Sequence, residues 1–160
     1  MNLSKKLSDA FNDQIKKEMW SSNLYLSMAV HFMNVGLEGC AHWMKKQAEE
    51  ELEHVHKLID YAVKRSGDVK IGQIDAVPTA WETPLEVFEQ VYKHELSVSE
   101  SIDKLMDVAI AENDKATQDF LWWFVREQVE EEESAKSIID KFNIYGVHGL
   151  YAIDRELGKR

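Results

Sequence analysis

The chain has 160 residues, of which 44% are hydrophobic and 30% charged, and 29 acidic against 19 basic side chains give a formal net charge of -10. That size suits one domain, expected to span residues 1–160, and the composition argues against a disordered or membrane-spanning polypeptide. The acidic balance argues against a nucleic-acid partner and favours cations, while the single Cys40 and the polar start Asn2-Leu3-Ser4-Lys5-Lys6 lead us to expect a cytoplasmic protein with no internal disulfide and no membrane anchor.

Only 7 glycines and 2 prolines interrupt the chain, and they cluster, leaving long uninterrupted segments between them. The first predicted helix covers residues 5–33 and ends before Gly36. The second covers 38–65 and stops at Lys64-Arg65-Ser66-Gly67, where basic side chains meet the last carbonyls and a glycine follows. The third covers 84–112, with Thr83 as cap, Pro84 in the first helical position and Glu86 completing a capping box. A fourth covers 114–142, and a short fifth covers 148–157. No strand alternation and no repeat is visible, so the fold class is all-α.

Four helices of about 28 residues are each about 42 Å long, a length typical of a four-helix bundle. The connections after the first and third are short and force antiparallel neighbours. The 66–82 segment, at about 3.4 Å per residue, reaches about 58 Å and can run the length of the bundle. The predicted topology is therefore up-down-down-up, with a long crossover between helices two and three. An up-down-up-down bundle with a mobile loop is the alternative.

Steps of three and four mark the seam that each helix turns toward its partners. The first seam reads Leu7, Phe11, Gln14, Glu18, Ser22, Tyr25, Met28, Phe32, and the second Met44, Ala48, Glu51, Val55, Leu58, Ala62. The third reads Phe88, Val91, Glu95, Val98, Ile102, Leu105, Ala109, and the fourth Thr117, Leu121, Phe124, Gln128, Glu131, Ala135, Ile138, Phe142. Each carries glutamate near its middle, and His54, three residues after Glu51, shares that face. Buried carboxylates from four helices repel one another and lose hydration, and no Arg or Lys occupies a seam to offset them. A metal is the expected counter-charge. Oxygen-rich ligands with one imidazole suit iron or manganese, and two divalent ions offset about four carboxylates. For any one glutamate the alternative is a misjudged helix phase that turns it to water.

These residues resemble the ferritin family, specifically the non-haem bacterial ferritins, over nearly the whole chain. The resemblance runs from Glu18-Met19-Trp20-Ser21-Ser22 and Tyr25, through Glu50-Glu51-Leu52-Glu53-His54, to Glu127-Gln128-Val129-Glu130-Glu131-Glu132 and Ser137-Ile138-Ile139-Asp140-Lys141. It implies a ferritin-like bundle with a ferroxidase centre. There Glu18, Glu51 and His54 hold one iron, and Glu51 bridges to a second held by Glu95 and Glu131, with Gln128 close by. It also implies a third iron on the cavity side, at Glu50, Glu127, Glu130 and Glu131, and a tyrosine, here Tyr25, beside the iron site. The tyrosine supplies an electron or a hydrogen bond; a plain core aromatic is its alternative. Trp123 matches a tryptophan near the centre, whereas Trp20, Trp43, Trp81 and Trp122 are read as packing or interface residues. His31, His42, His56, His94 and His148 are read as surface histidines.

The implied activity is oxidation of Fe(II) by O2 or H2O2 and storage of the ferric product as mineral inside a homo-oligomeric shell of 24 subunits. Two departures narrow the family. Bacterioferritins repeat the E-x-x-H pair on the fourth helix, where this chain has Gln128-Val129-Glu130-Glu131, and they carry a haem-binding methionine where this chain has Leu52. No haem is expected. A soluble diiron oxidase or peroxidase without mineral storage is the alternative function, and a metal-free structural bundle is the other.

Overall fold

A computed structural model describes residues 2–160. Helix α1 (Lys5–Asn34) starts where Ser4 Oγ accepts the Leu7 N–H at 3.1 Å, and ends where Gly36, at φ 80°, lets the Leu37 N–H return to Phe32 O. Helix α2 (Glu38–Lys64) has no side-chain cap of its own. Helix α3 (Pro84–Ala111) is capped by Thr83, as the sequence indicates, but the Glu86 carboxylate accepts from the Glu82 N–H one residue further back. Helix α4 (Lys115–Tyr145) continues three residues past the expected end, and a short turn at Val147–Gly149 leads into α5 (Leu150–Leu157). Among the described residues no helix is long and apolar enough to cross a membrane.

At the end of α2 the left-handed residue is Ser66, at φ 55°, rather than Gly67. Gly67 is needed for space: a Cβ there would lie 3.0 Å from Ala62 O and from a Leu3 methyl. Asn113 takes the same left-handed position after α3, at φ 54°, and Asp114 then caps α4 by accepting from the Thr117 N–H at 3.0 Å. Arg65, which follows α2, pairs with the Asp114 carboxylate at 2.8 Å. One ion pair thus ties the end of α2 to the α3–α4 junction.

Every residue of the four seams is buried, and the apolar ones form two clusters separated by the polar middle. One cluster joins Met28 and Phe32 late in α1 to Met44 early in α2, Phe88 early in α3 and Phe142 late in α4. The other joins Leu7 and Phe11 early in α1 to Leu58 late in α2, Leu105 late in α3 and Leu121 early in α4. Helices α2 and α3 therefore run parallel to each other and antiparallel to α1 and α4, the up-down-down-up order. The crossover climbs α1 as an extended strap: Asn12 bonds Asp68 O and the Lys70 N–H, Trp20 Nε1 donates to Ala76 O, and Ser27 Oγ donates to Pro78 O at 2.6 Å.

Helix α5 lies across the start of α2. A Cβ on Gly39 would fall 1.6 Å from Asp154 O, so only glycine permits the approach. The Asp154 carboxylate accepts the Cys40 N–H at 2.8 Å and supplies the cap that α2 lacks.

Replacing Asp114 tests the α3–α4 junction. Burial alone would raise the Asp114 carboxyl, but the Arg65 guanidinium and the Thr117 N–H hold it below the usual range. A depressed carboxyl stabilises the fold at neutral pH and loses that contribution as pH falls through its folded pKa. Asp114→Ala is expected to cost about 1 kcal/mol or more, from the lost cap and the lost ion pair with Arg65, and to flatten the acid limb of the thermal midpoint plotted against pH. Asp114→Asn, which keeps a cap acceptor, should cost less.

Candidate metal centre

The belt between the two apolar clusters is built one residue at a time from helix faces that are otherwise hydrophobic. Glu18 comes from α1, Glu51 and His54 from α2, Glu95 from α3, and Gln128 and Glu131 from α4, and all six are buried. Ligand atoms of Glu18, Glu51 and His54 lie within 4.8 Å of one another, and those of His54, Glu127 and Glu131 do the same. His54 Nδ1 is 3.2 Å from Glu51 and 3.9 Å from Glu18. Its ring is fixed edge-on between Trp123 and Phe124, with centroids 5.5 and 5.8 Å away.

Neutral donors orient the remaining carboxylates. Gln14 Nε2 donates to Glu18 Oε1 at 2.7 Å, and Gln128 Nε2 donates to Glu95 Oε2 at 3.1 Å. The Tyr25 hydroxyl donates to the other Glu95 oxygen, and Gln47 Nε2 donates to Glu131. Glu18 Oε2 is buried with no hydrogen-bond partner. An orphaned carboxylate oxygen beside a second carboxylate and an imidazole fits a cation, because nothing else present satisfies it.

The electrostatics agree. Burial pushes Glu51 well up, and the neighbouring Glu18 pushes it further. Burial also opposes Glu18, yet the neighbouring His54 and Glu51 and the Gln14 amide outweigh it and leave the charge there. Burial lifts Glu95 to about 8, reinforced by Glu131, and burial raises Glu131. Desolvation would lower His54, but the Glu18 and Glu51 carboxylates beside it carry it to about 11. Tyr25 is held well above its ordinary value by burial and by Glu95, so its hydroxyl stays a donor. At neutral pH protons occupy the places where cations would offset the charge.

The remaining sequence candidates divide. Glu127 is half-buried and joins His54 and Glu131, whereas Glu50 is held by Arg160 at 2.7 Å and Glu130 is exposed. Neither Glu50 nor Glu130 belongs to a set of three converging ligands among the described residues. His94 is a correction. It is half-buried rather than open to solvent: its ring lies between Trp20 and Tyr25, Nε2 is 2.7 Å from Ser21 Oγ, and burial lowers it to about 4. Gln47 escaped the sequence reading, although it stands four residues before Glu51 and so on the same face.

Similarity to known proteins fits this geometry. The family model of the ferritin-like domain matches residues 8–144. A bacterial non-heme ferritin from Bacteroides fragilis (strain 638R) is 57% identical over 158 residues, covering 99% of each chain. One from Campylobacter jejuni is 36% identical over 155 residues, covering 96% of this chain and 93% of its own. The crystal structure of an open pore ferritin from the archaeon Archaeoglobus fulgidus superposes with a TM-score of 0.97 at 43% identity, covering 99% of this chain and 98% of that one. The chain belongs to the ferritin family, and within it resembles the bacterial non-haem ferritins throughout its length.

Proposed function

We propose that this protein stores and detoxifies iron in the cytoplasm, oxidising Fe(II) at an intra-subunit dinuclear centre and depositing Fe(III) as mineral inside a shell of 24 copies. The observation that carries the reading is the buried, partnerless Glu18 oxygen converging with Glu51 and His54 at mid-bundle. In this reading Glu18, Glu51 and His54 take one Fe(II), and Glu51, Glu95 and Glu131 take the second. Two Fe(II) each give up one electron. The pair of electrons reduces O2 with two protons to H2O2, or H2O2 with two protons to two waters.

The surrounding residues position these ligands. Gln14 holds Glu18, Gln47 holds Glu131, and Gln128 and Tyr25 hold Glu95 from its two oxygens. Gln128 is an amide that orients a carboxylate without adding a charge, so the second position is carboxylate-rich while the first has an imidazole. Glu127 and Glu131 continue the donor set outward, where a third cation and the departing ferric product are received. Tyr25, whose raised pKa keeps its hydroxyl protonated, fixes Glu95 and in this reading is the residue beside the site that supplies an electron.

Glu18→Ala and His54→Ala should slow aerobic Fe(II) oxidation by at least about tenfold, with the assembly unchanged on gel filtration; unchanged oxidation in both variants overturns the assignment. With excess Fe(II) and air, iron far above about two per chain should elute with a large assembly. A plateau near that value in a small oligomer would instead identify a diiron oxidase. Zinc binding to the metal-free protein should release protons, because a ligating imidazole and carboxylates must shed them. Calorimetry in buffers of different ionisation enthalpy checks this, and His54→Ala should reduce the release by about one proton per chain. Affinity should rise with pH toward about 8 as Glu95 ionises.

A further inference from the structure

Tyr25 and Trp123 are both readily oxidised side chains, and they meet the acidic belt differently. The Tyr25 hydroxyl donates to Glu95, so the phenol has a carboxylate to take its proton as it gives up an electron. Trp123 packs edge-on against the His54 ring, with centroids 5.5 Å apart, and its own ring lies under a cation. Lys57 Nζ stands 3.9 Å from the Trp123 centroid, closer than Arg160 comes to Trp43 or Arg65 to Tyr61, at 4.7 and 5.6 Å.

Lys57 follows Glu53 by four residues and precedes Asp60 by three, spacings at which a helical lysine commonly pairs with a carboxylate. Among the described residues it pairs with neither, and its ammonium rests on the indole instead. A cation over an aromatic face favours the neutral ring through the ring quadrupole and repels the radical cation that loss of an electron would leave. Both effects make Trp123 harder to oxidise. Tyr25 has a carboxylate in the corresponding place, which eases its oxidation.

We propose that Lys57 keeps Trp123 reduced while the belt turns over, and so directs to Tyr25 the electron that the reaction draws from the protein. This rests on the iron-oxidation reading above. The demand arises when a single Fe(II) meets H2O2, which takes two electrons and two protons to give two waters. Fe(II) supplies one electron. Tyr25 supplies the other, with its proton passing through Glu95, and is left as a neutral phenoxyl radical; solvent supplies the second proton. Drawn from Trp123, the same electron would leave a radical cation beneath the ammonium.

The first test needs no iron. The assembled, metal-free protein is exposed to azidyl radicals, a neutral one-electron oxidant of tryptophan, and the oxidised product is counted at each tryptophan by peptide mass spectrometry. Lys57→Gln should raise the yield at Trp123 about fivefold and leave Trp20 and Trp122 unchanged. Lys57→Arg, which keeps a cation over the ring, should match wild type. With one Fe(II) per chain and H2O2, rapid freezing and electron paramagnetic resonance should show a tyrosyl radical in wild type. Lys57→Gln should add a tryptophanyl signal that disappears when Trp123→Phe is combined with it. The proposal is overturned if Lys57→Gln leaves the azidyl yield at Trp123 unchanged, or if Lys57→Arg raises it as much. If the azidyl yields respond as expected but Glu18→Ala leaves the radical yield from Fe(II) and H2O2 unchanged, the belt is not the source of oxidation, and the metal-centre reading falls together with the role of Lys57 in turnover.

Discussion

Four carboxylates buried at mid-bundle set the terms for everything else in this molecule. An ionised carboxylate moved from water into a protein interior costs several kcal/mol unless it is paired, and a whole domain is stable by only about 5 to 15 kcal/mol. Glu18, Glu51, Glu95 and Glu131 would exhaust that margin if all were charged and unpaired. They are instead part-protonated, with Glu95 titrating near 8, oriented by neutral amides and a phenol, and opposed by the single imidazole of His54. The cost that remains falls on the two apolar clusters above and below the belt, each drawing on all four helices. A cation is the change that would turn the belt from a liability into a source of stability.

That demand explains the architecture. A belt supplied by all four helices needs their faces matched in depth, and long helices with apolar packing on both sides provide it. The parallel pair α2 and α3 requires a connection that runs the full length of the bundle. The 65–83 segment does so by handing its carbonyls and amides to Asn12, Trp20 and Ser27 along one side of α1. The stretch of α1 from Asn12 to Ser27 is about 22 Å long, which the extended strap from Asp68 to Pro78 covers without strain, since an extended chain gains about 3.3 Å per residue.

The helices and the belt were legible in the sequence because they follow periodicity, a local property. Glu18, Glu51, Glu95 and Glu131 interrupt otherwise apolar seams, and no helical phase that buries Phe11 and Met28 can expose Glu18. Contacts between distant residues were not legible. Gln47 bonds Glu131 across 84 positions, Asp154 caps α2 across 114, and Arg160 meets Glu50 only because α5 docks on Gly39. His94 shows the same limit. Its neighbour Glu95 fixes the inner face of α3, so His94 points about 100° away, and only the packing of Trp20 and Ser21 against it half-buries that direction. The topology lay between these cases: depth matching alone fits either bundle order, and it is the pairing of helix ends within each apolar cluster that decides.

The candidate ligands are also graded in burial. Glu95, Glu18 and Glu51 are at most 1% exposed and Glu131 is 6% exposed, while Glu127 and Glu50 are half-buried and Glu130 faces solvent. Attraction between a carboxylate and a cation weakens steeply as water raises the local dielectric. Under the proposed function, a cation moving from Glu18 and Glu51 past Glu131 toward Glu127 would therefore meet progressively weaker ligands. Such a gradient would give the path a direction without a moving part, with the inner positions holding the ions more tightly than the outer ones. The belt is also asymmetric. His54, flanked by Trp123 and Phe124, converges both with Glu18 and Glu51 and with Glu127 and Glu131, and Glu95 lies outside both groups. A second imidazole in place of Gln128 would add a ligand that holds the ion back, whereas an amide that only steadies Glu95 leaves the ion to the carboxylates, whose grip falls as the water approaches.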